Sequence, residues 1–257
     1  MTAHRNERPS AATPPGPFEG WALFLDVDGT LLDIAPEPDA VAVPPNLAAV
    51  LAALSARLGG ALALVSGRAV ADLDRLFLPL VLPAAGQHGG ELRRAAGGPV
   101  ERAGREPGLD AVQAAARGFA AGCPGILVED KGTSVAVHYR DAPWAAPNLL
   151  DALERAVAPA GERLHIMRGK MVLEVKAKGT DKGAALRAFM TAPPFAGRVP
   201  VFIGDDVTDR DGFRAAEALG GHGVEVAPRP TGAARFRLDD PAAVRAWLAG
   251  LAEGAEA

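Results

Sequence analysis

Ala22 to Leu25 is an unbroken apolar run that ends in Asp26, and Ala61 to Val65 is a second that ends in Ser66-Gly67-Arg68. Continuous runs of this length are too short for helices, and they match strands buried on both faces of a parallel sheet. Between them Leu47, Val50, Leu51 and Leu54 recur at helical spacing, with Pro44-Pro45 opening the segment and Gly59-Gly60 ending it near Leu58. The same rhythm returns late in the chain. Residues 180–190 read as a helix, 199–203 as a strand and 207–219 as a helix, followed by strands at 223–226 and 234–238 and a final helix at 241–251. Strands alternating with helices predict an α/β fold built on a doubly wound, Rossmann-like parallel sheet.

The order changes in the middle of the chain. Residues 109–122 read as a helix, 125–129 and 133–139 as strands, 143–157 as a helix, and 163–167 with 171–175 as a hairpin turning at Arg168-Gly169-Lys170. This α-β-β-α-β-β order predicts an inserted α+β module of roughly seventy residues, large enough to fold as a unit. The expected organisation is a core of residues 21–104 and 178–257 interrupted by a cap at 105–177. Residues 1–20, rich in Pro, Gly, Ser and charge, read as a flexible, disordered tail with no signal-peptide core.

Composition narrows the function classes. With 49% hydrophobic and 23% charged residues, the 257-residue chain is globular. A net charge of −4 supplies no basic field for nucleic acid or for an anionic membrane. Cys123 is the single cysteine, which excludes an intramolecular disulfide, and no Cys/His spacing suggests zinc. A reducing, cytoplasmic setting is therefore expected. No apolar run reaches the length of about eighteen residues that a membrane span needs.

Candidate chemistry sits where the strands end, the edge at which open α/β sheets bind ligands. Asp26 and Asp28 stand two apart after the first strand. Two such carboxylates repel unless a cation lies between them, which invites a hard divalent ion, magnesium being the expected one. A carboxylate held beside that ion can attack phosphorus, so Asp26 is the candidate nucleophile. Asp28 can serve in turn as general acid and general base. Ser66 is placed to hold phosphate oxygens, and Thr30, Gly67, Arg68 and His88 lie in the same loops as candidate substrate contacts. Lys182, in the first turn of a helix, opposes the helix dipole unless an anion is near. The strand ending at Gly204 delivers Asp205 as a direct metal ligand, with Asp206 and Asp209 ligating or orienting the first ligands. Each element has a plainer reading: a capped turn, a helix N-cap at Ser66, a solvated lysine, a dipole-favoured Asp209. The four in this order, each at a strand end or helix start, are harder to explain that way.

The set Asp26-Val-Asp28-Gly-Thr30, Ser66, Lys182 and Gly204-Asp205-Asp206 resembles the haloacid dehalogenase superfamily. Val65-Ser-Gly-Arg68, Ala85-Gly86-Gln-His88-Gly89-Gly-Glu91, Val128-Glu-Asp-Lys131-Gly-Thr-Ser134, Ala136-Val-His138-Tyr-Arg140, Gly169-Lys170-Met-Val-Leu-Glu174-Val and Gly204-Asp-Asp-Val-Thr-Asp209-Arg-Asp-Gly-Phe213 are similar to the trehalose-6-phosphate phosphatase family within it. The resemblance implies a haloacid dehalogenase core with a C2-type cap, and a Mg2+-dependent phosphoric monoester hydrolase. It further implies conversion of trehalose 6-phosphate to trehalose and inorganic phosphate through an aspartyl-phosphate, in trehalose biosynthesis. It implies that Glu129, Lys131 and Glu174 of the cap hydrogen-bond the distal glucose, and that a trehalose-phosphate synthase is a functional partner. The chain departs from that pattern at Val175-Lys176-Ala177 and at Arg210. Three alternatives stay open from the residues: another sugar phosphate such as sucrose phosphate or a mannosyl phosphoester, a phosphomutase, and a non-catalytic sugar-phosphate sensor.

Overall fold

The computed structural model describes residues 13, 18–34, 41–169 and 171–254. Most of the expected tail, residues 1–12 and 14–17, lies outside them. Phe18–Gly20 form a 3-10 turn in which Phe18 is buried edge-on against Trp21. The chain divides into two compact units, residues 1–100 with 181–257, and residues 101–180.

The first unit is a sheet flanked by helices: β1 (Trp21–Leu25), α1 (Leu47–Arg57), β2 (Leu62–Val65), α2 (Val70–Phe77), β3 (Ala84–Gly86) and β4 (Glu91–Arg93) come before the insertion. After the insertion it resumes with α5 (Lys182–Phe189), β9 (Val199–Gly204), α6 (Arg210–Ala218), β10 (His222–Val226), β11 (Phe236–Leu238) and α7 (Pro241–Glu253). Neighbouring strands run β11-β10-β9-β1-β2-β3-β4, all parallel except β4. Leu25 lies opposite both Ile203 and Leu64, so β1, β2 and β9 end at one sheet edge. The continuous apolar runs are explained by burial on both faces: every residue of β1 and β2 is buried. Phe24, Phe189 and Phe195 form an aromatic cluster with ring centroids 4.9 to 5.8 Å apart, a geometry that adds to area burial.

The second unit opens with a two-residue strand, Glu101–Arg102. It then contains α3 (Gly108–Ala121), β5 (Leu127–Asp130), β6 (Ser134–His138), α4 (Ala146–Val157), β7 (Leu164–Gly169) and β8 (Val172–Ala177). Its four-stranded antiparallel sheet has the order β5-β6-β8-β7. Val135, Val137, Leu173 and Val175 pack with Leu109, Val112, Leu149 and Leu153 of the helices. The alternate positions, Ser134, Ala136, His138, Glu174 and Lys176, therefore share the other face.

Several boundaries differ from expectation for local reasons. Helix α5 starts at Lys182 because Asp181 caps it, its carboxylate accepting from the Ala184 amide at 2.7 Å. The expected helix 207–219 breaks into a 3-10 turn, Val207–Asp209, and α6, at a capping box made by Asp206 and Asp209. Pro143–Ala145 likewise form a 3-10 turn ahead of α4. The hairpin strands pair through Gly169↔Val172, longer than periodicity suggested, with Met171 at φ 61°; Lys170 lies outside the described residues. Strands β3 and β4 were not anticipated, being three residues each and, in β4, carrying buried Glu91 and Arg93. Arg93 is held there by a two-pronged pair with Asp74 at 2.6 and 2.7 Å. Among the described residues no helix is long and apolar enough to cross a membrane.

Candidate active site

At the end of β1 the chain turns sharply, with the Thr30, Leu31 and Leu32 amides all donating to the Val27 carbonyl. Gly29 has φ +82°, and a Cβ built on it would lie 2.2 Å from Asp205 Oδ2. A side chain is excluded twice over, by the left-handed backbone and by the close approach of Asp205. The turn buries Thr30 and aims its hydroxyl at Asp26 Oδ2, 3.0 Å away, with Asp205 Oδ1 at 3.3 Å. Asp26 is buried too, its amide donating to Ile203 of the adjacent strand at 3.0 Å.

Lys182 is no solvated surface lysine. It is 3% exposed, and its Nζ lies 2.7 Å from Asp26 Oδ1 and 2.6 Å from Asp209 Oδ1. Burial works against its charge, but Asp26 and Asp209 outweigh burial and hold the ammonium protonated well above the ordinary lysine range. Asp209 is also fully buried. Its Oδ2 accepts from the Asp205 and Asp206 amides at 3.1 and 2.9 Å, an arrangement for which Gly204 must lack a side chain, since a Cβ there would lie 2.2 Å from Asp209 Cγ.

Asp26, Asp205 and Asp209 present carboxylate oxygens within 4.8 Å of one another. Burial, and then the charges of Asp26 and Asp209, push Asp205 up to about 8. Burial and the Asp26 charge push Asp209 up to about 7, against the opposing pull of Lys182. One ammonium does not neutralise three carboxylates, two of them buried and Asp205 half-buried, so Asp205 and Asp209 keep their protons to higher pH than an ordinary aspartate. An all-oxygen, net-negative cluster of this kind is suited to a hard divalent cation. Both oxygens of Asp26, held by Lys182 and Thr30, and both oxygens of Asp209, held by Lys182 and the Asp205 and Asp206 amides, already accept from protein donors, so an ion here would share those oxygens.

The structure places the remaining candidates differently. Asp28 faces Arg68, whose Nε and Nη2 both lie 2.7 Å from its carboxylate in a forked pair. Asp206 caps the following turn, its Oδ1 accepting from the Val207 amide at 2.6 Å. Neither joins the three-carboxylate cluster. Ser66, at the end of β2, is buried, and its Oγ accepts from the Arg68 amide at 3.2 Å. The N-cap of α2 is Ala69, which has no capping side chain. Instead Glu91, reaching across from β4, accepts from the Val70 amide at 2.8 Å. The loop after β3 braces the Ser66 loop further: Gln87 and His88 amides donate to Arg68 and Ser66 carbonyls, both at 2.9 Å. The His88 ring closes over Gly67, where a Cβ would lie 2.7 Å from Nε2. Gln87 and His88 adopt φ values of 50° and 53°, conformations that non-glycine residues seldom take. Sequence reasoning missed the Arg68–Asp28 pair and the Glu91 cap. The Gly89-Gly-Glu91 segment was the available signal, but nothing local says which helix Glu91 serves.

In the second unit, Glu174 accepts from Ser134 Oγ at 2.6 Å, and Lys131 Nζ lies 3.9 Å from its other oxygen. Glu129 pairs with His138, 3.1 Å from Nε2, not with Lys131. Glu129, Ala136 and Glu174 lie in one cross-strand row, so the two carboxylates share a face of the sheet.

Comparison with known proteins agrees with this arrangement. The family model for trehalose-phosphatase matches residues 24–242. The chain is 46% identical, over 91% of its length and 89% of the other, to a probable trehalose-phosphate phosphatase of Sinorhizobium fredii. It is 39% identical, over 89% of its length and 85% of the other, to a trehalose-6-phosphate phosphatase of Escherichia coli. In fold it is similar to the C-terminal domain of Candida albicans trehalose-6-phosphate phosphatase, with a TM-score of 0.77 at 23% identity over 92% of this chain and 93% of that one. A match spanning both sheet-edge acidic motifs and the whole insertion between them shows that the chain belongs to the trehalose-phosphatase family.

Proposed function

We propose that this chain is a magnesium-dependent phosphatase that converts trehalose 6-phosphate and water to trehalose and inorganic phosphate. The observation that carries the reading is the convergence of Asp26, Lys182 and Asp205 at the end of three separate elements, in a chain of this family. A divalent cation held by Asp26 and Asp205, with Asp209 behind them, supplies charge neutralisation that lets an anionic nucleophile meet an anionic phosphoryl group.

The protein's own groups do the rest. Lys182 and Thr30 fix the Asp26 carboxylate from two sides. Asp26 attacks phosphorus, forming the acyl-phosphate bond as the bond to the sugar oxygen breaks, and Asp28 donates a proton to that departing oxygen. Asp28 then takes a proton from the water that attacks the aspartyl-phosphate, which frees Asp26 and releases phosphate. To do so it must leave the fork of Arg68, the group that holds it otherwise. Ser66, with Gly67 and Arg68 in the same loop and His88 against it, holds the non-transferring oxygens. Glu129, Lys131 and Glu174 hydrogen-bond the sugar hydroxyls, whose paired donor and acceptor character suits such mixed charges. A trehalose-phosphate synthase supplying the substrate completes this reading.

The test is phosphate release from trehalose 6-phosphate with magnesium or with a chelator, in the native protein and in Asp26→Asn. We expect metal-dependent turnover by the native protein and none by the variant, whose melting should stay cooperative. Normal turnover by Asp26→Asn refutes the nucleophile assignment. Equal rates on sucrose phosphate and trehalose 6-phosphate refute the assigned sugar.

A further inference from the structure

The turn that carries Lys131 is held from outside itself. Arg105, ahead of α3, donates from Nε to Asp110 at 2.8 Å, and from Nη1 to Asp130 at 2.8 Å and to the Gly132 carbonyl at 2.7 Å. Its Nη2 reaches Gln113 at 3.2 Å, and Gln113 in turn donates to the second oxygen of Asp130 at 2.8 Å. The Gly132 amide closes the turn onto Asp130 at 2.8 Å, with Gly132 at φ +81°. That amide bond, followed by the Arg105 charge, holds the Asp130 carboxyl below its usual range against the opposing effect of burial. Lys131 and Ser134 complete the turn through a backbone bond of 3.0 Å, and Ser134 is the residue whose hydroxyl binds Glu174.

The anchor for this network is rigid. Asp110 and Gln113 lie in the first two turns of α3, whose Leu109, Val112 and Ala116 are buried in the core of the unit. The hydrogen bonds therefore run in an unbroken line from a packed helix, through one guanidinium, to the Asp130 carboxylate on one side of Lys131 and the Gly132 carbonyl on the other. Lysine has a long side chain with much rotamer freedom to lose. A turn fixed beforehand leaves less of it to be lost when a ligand is gripped.

We propose that Arg105, with Gln113, is a positioning residue for sugar recognition: it touches no substrate, and it sets the selectivity for a disaccharide phosphate by holding the Asp130–Thr133 turn that presents Lys131 to Glu174. This rests on the reading above, in which Lys131 and Glu174 grip the sugar.

The experiment compares trehalose 6-phosphate with p-nitrophenyl phosphate, an ester that has no sugar to grip, in the full-length protein. Arg105→Ala should raise KM for the sugar ester about tenfold while kcat changes less than about twofold, and kcat/KM for p-nitrophenyl phosphate should stay within about twofold. Gln113→Ala, a milder loss, should move KM in the same direction by about threefold. It serves as the measure if Arg105→Ala fails to fold. The double variant Arg105→Ala/Lys131→Ala should raise KM no further than Lys131→Ala alone, a non-additivity that a merely structural role would not produce. Two outcomes overturn the proposal. If Lys131→Ala raises KM and the Arg105 and Gln113 variants do not, or if both esters lose activity equally, positioning is wrong while the sugar-gripping reading stands. If Lys131→Ala leaves KM for trehalose 6-phosphate unchanged, the underlying reading fails and this inference with it.

Discussion

Replacing Lys182 by methionine removes one charge while keeping the length and apolar stem of the side chain. In the native protein that ammonium is 3% exposed and lies 2.7 and 2.6 Å from two carboxylates that are themselves buried. Removing one partner of a buried ion pair leaves an uncompensated buried charge, at a cost of about 3 to 5 kcal/mol. Here two carboxylates lose their partner at once, and Asp205 adds a third negative group to the same cluster. For a chain of this size each kcal/mol moves the melting temperature by about 2 to 4 °C, so Lys182→Met should lower it by about 6 to 20 °C in chelator. Two conditions should soften the loss. At pH 5.5 Asp205 and Asp209 carry protons and need less compensation, and millimolar magnesium supplies positive charge to the same oxygens. Thermal melts at pH 5.5 and 8, with chelator and with magnesium, would show the largest drop at pH 8 in chelator and the smallest at pH 5.5 in magnesium, alongside loss of phosphate release in all four. A melting temperature unchanged at pH 8 in chelator would mean that Lys182 does not carry the cluster's charge balance.

The native protein should itself show a related pH dependence. Asp205 and Asp209 are raised by burial to about 8 and about 7, so the folded state holds protons that the unfolded chain has released; metal-free stability should fall as pH rises from about 4 to about 8, and magnesium should flatten the slope. Melts that rise with pH in chelator over that window would contradict it. Gly29→Ala should lower stability by about 2 to 4 kcal/mol, from the left-handed backbone together with the clash against Asp205, and should abolish phosphate release; a chemical-denaturation midpoint equal to the native value would rule out that close approach. Glu91→Ala removes the side-chain acceptor at the start of α2; a loss of about 1 to 2 kcal/mol should come with a larger fall in kcat than the equally destabilising removal of a remote cap, Asp240→Ala. Equal kcat values in these two variants would make Glu91 a cap and nothing more.

Much of the core could be read from local pattern. A run of four or five apolar residues closed by a polar or glycine turn is a signal contained within a few positions, and Asp26, Ser66 and Asp205 stand at strand ends for the reason that made them visible. Lys182 drew attention through its unfavourable place in a first turn, and its two carboxylate partners account for that place. Periodicity also separated the parallel, buried strands of the core from the alternating ones of the insertion.

Other features depended on which segments became neighbours. No local pattern puts β9 beside β1, and without that adjacency Asp205 and Asp26 share nothing. Strands β3 and β4 were invisible because they are three residues each, and β4, with its buried Glu and Arg, has the composition of a loop; Val70, Asp74 and the Leu82 carbonyl, brought alongside by folding, help to make those charges tolerable. The same holds for Asp28, which as sequence is one of two equivalent carboxylates. Arg68, forty positions away, separates it from Asp26 by gripping both its oxygens. Hydrophobic periodicity and turn chemistry act within one turn or one strand, and therefore appear in the order of residues. Compensation of buried charge acts across space, and its partners exist only once the chain has packed.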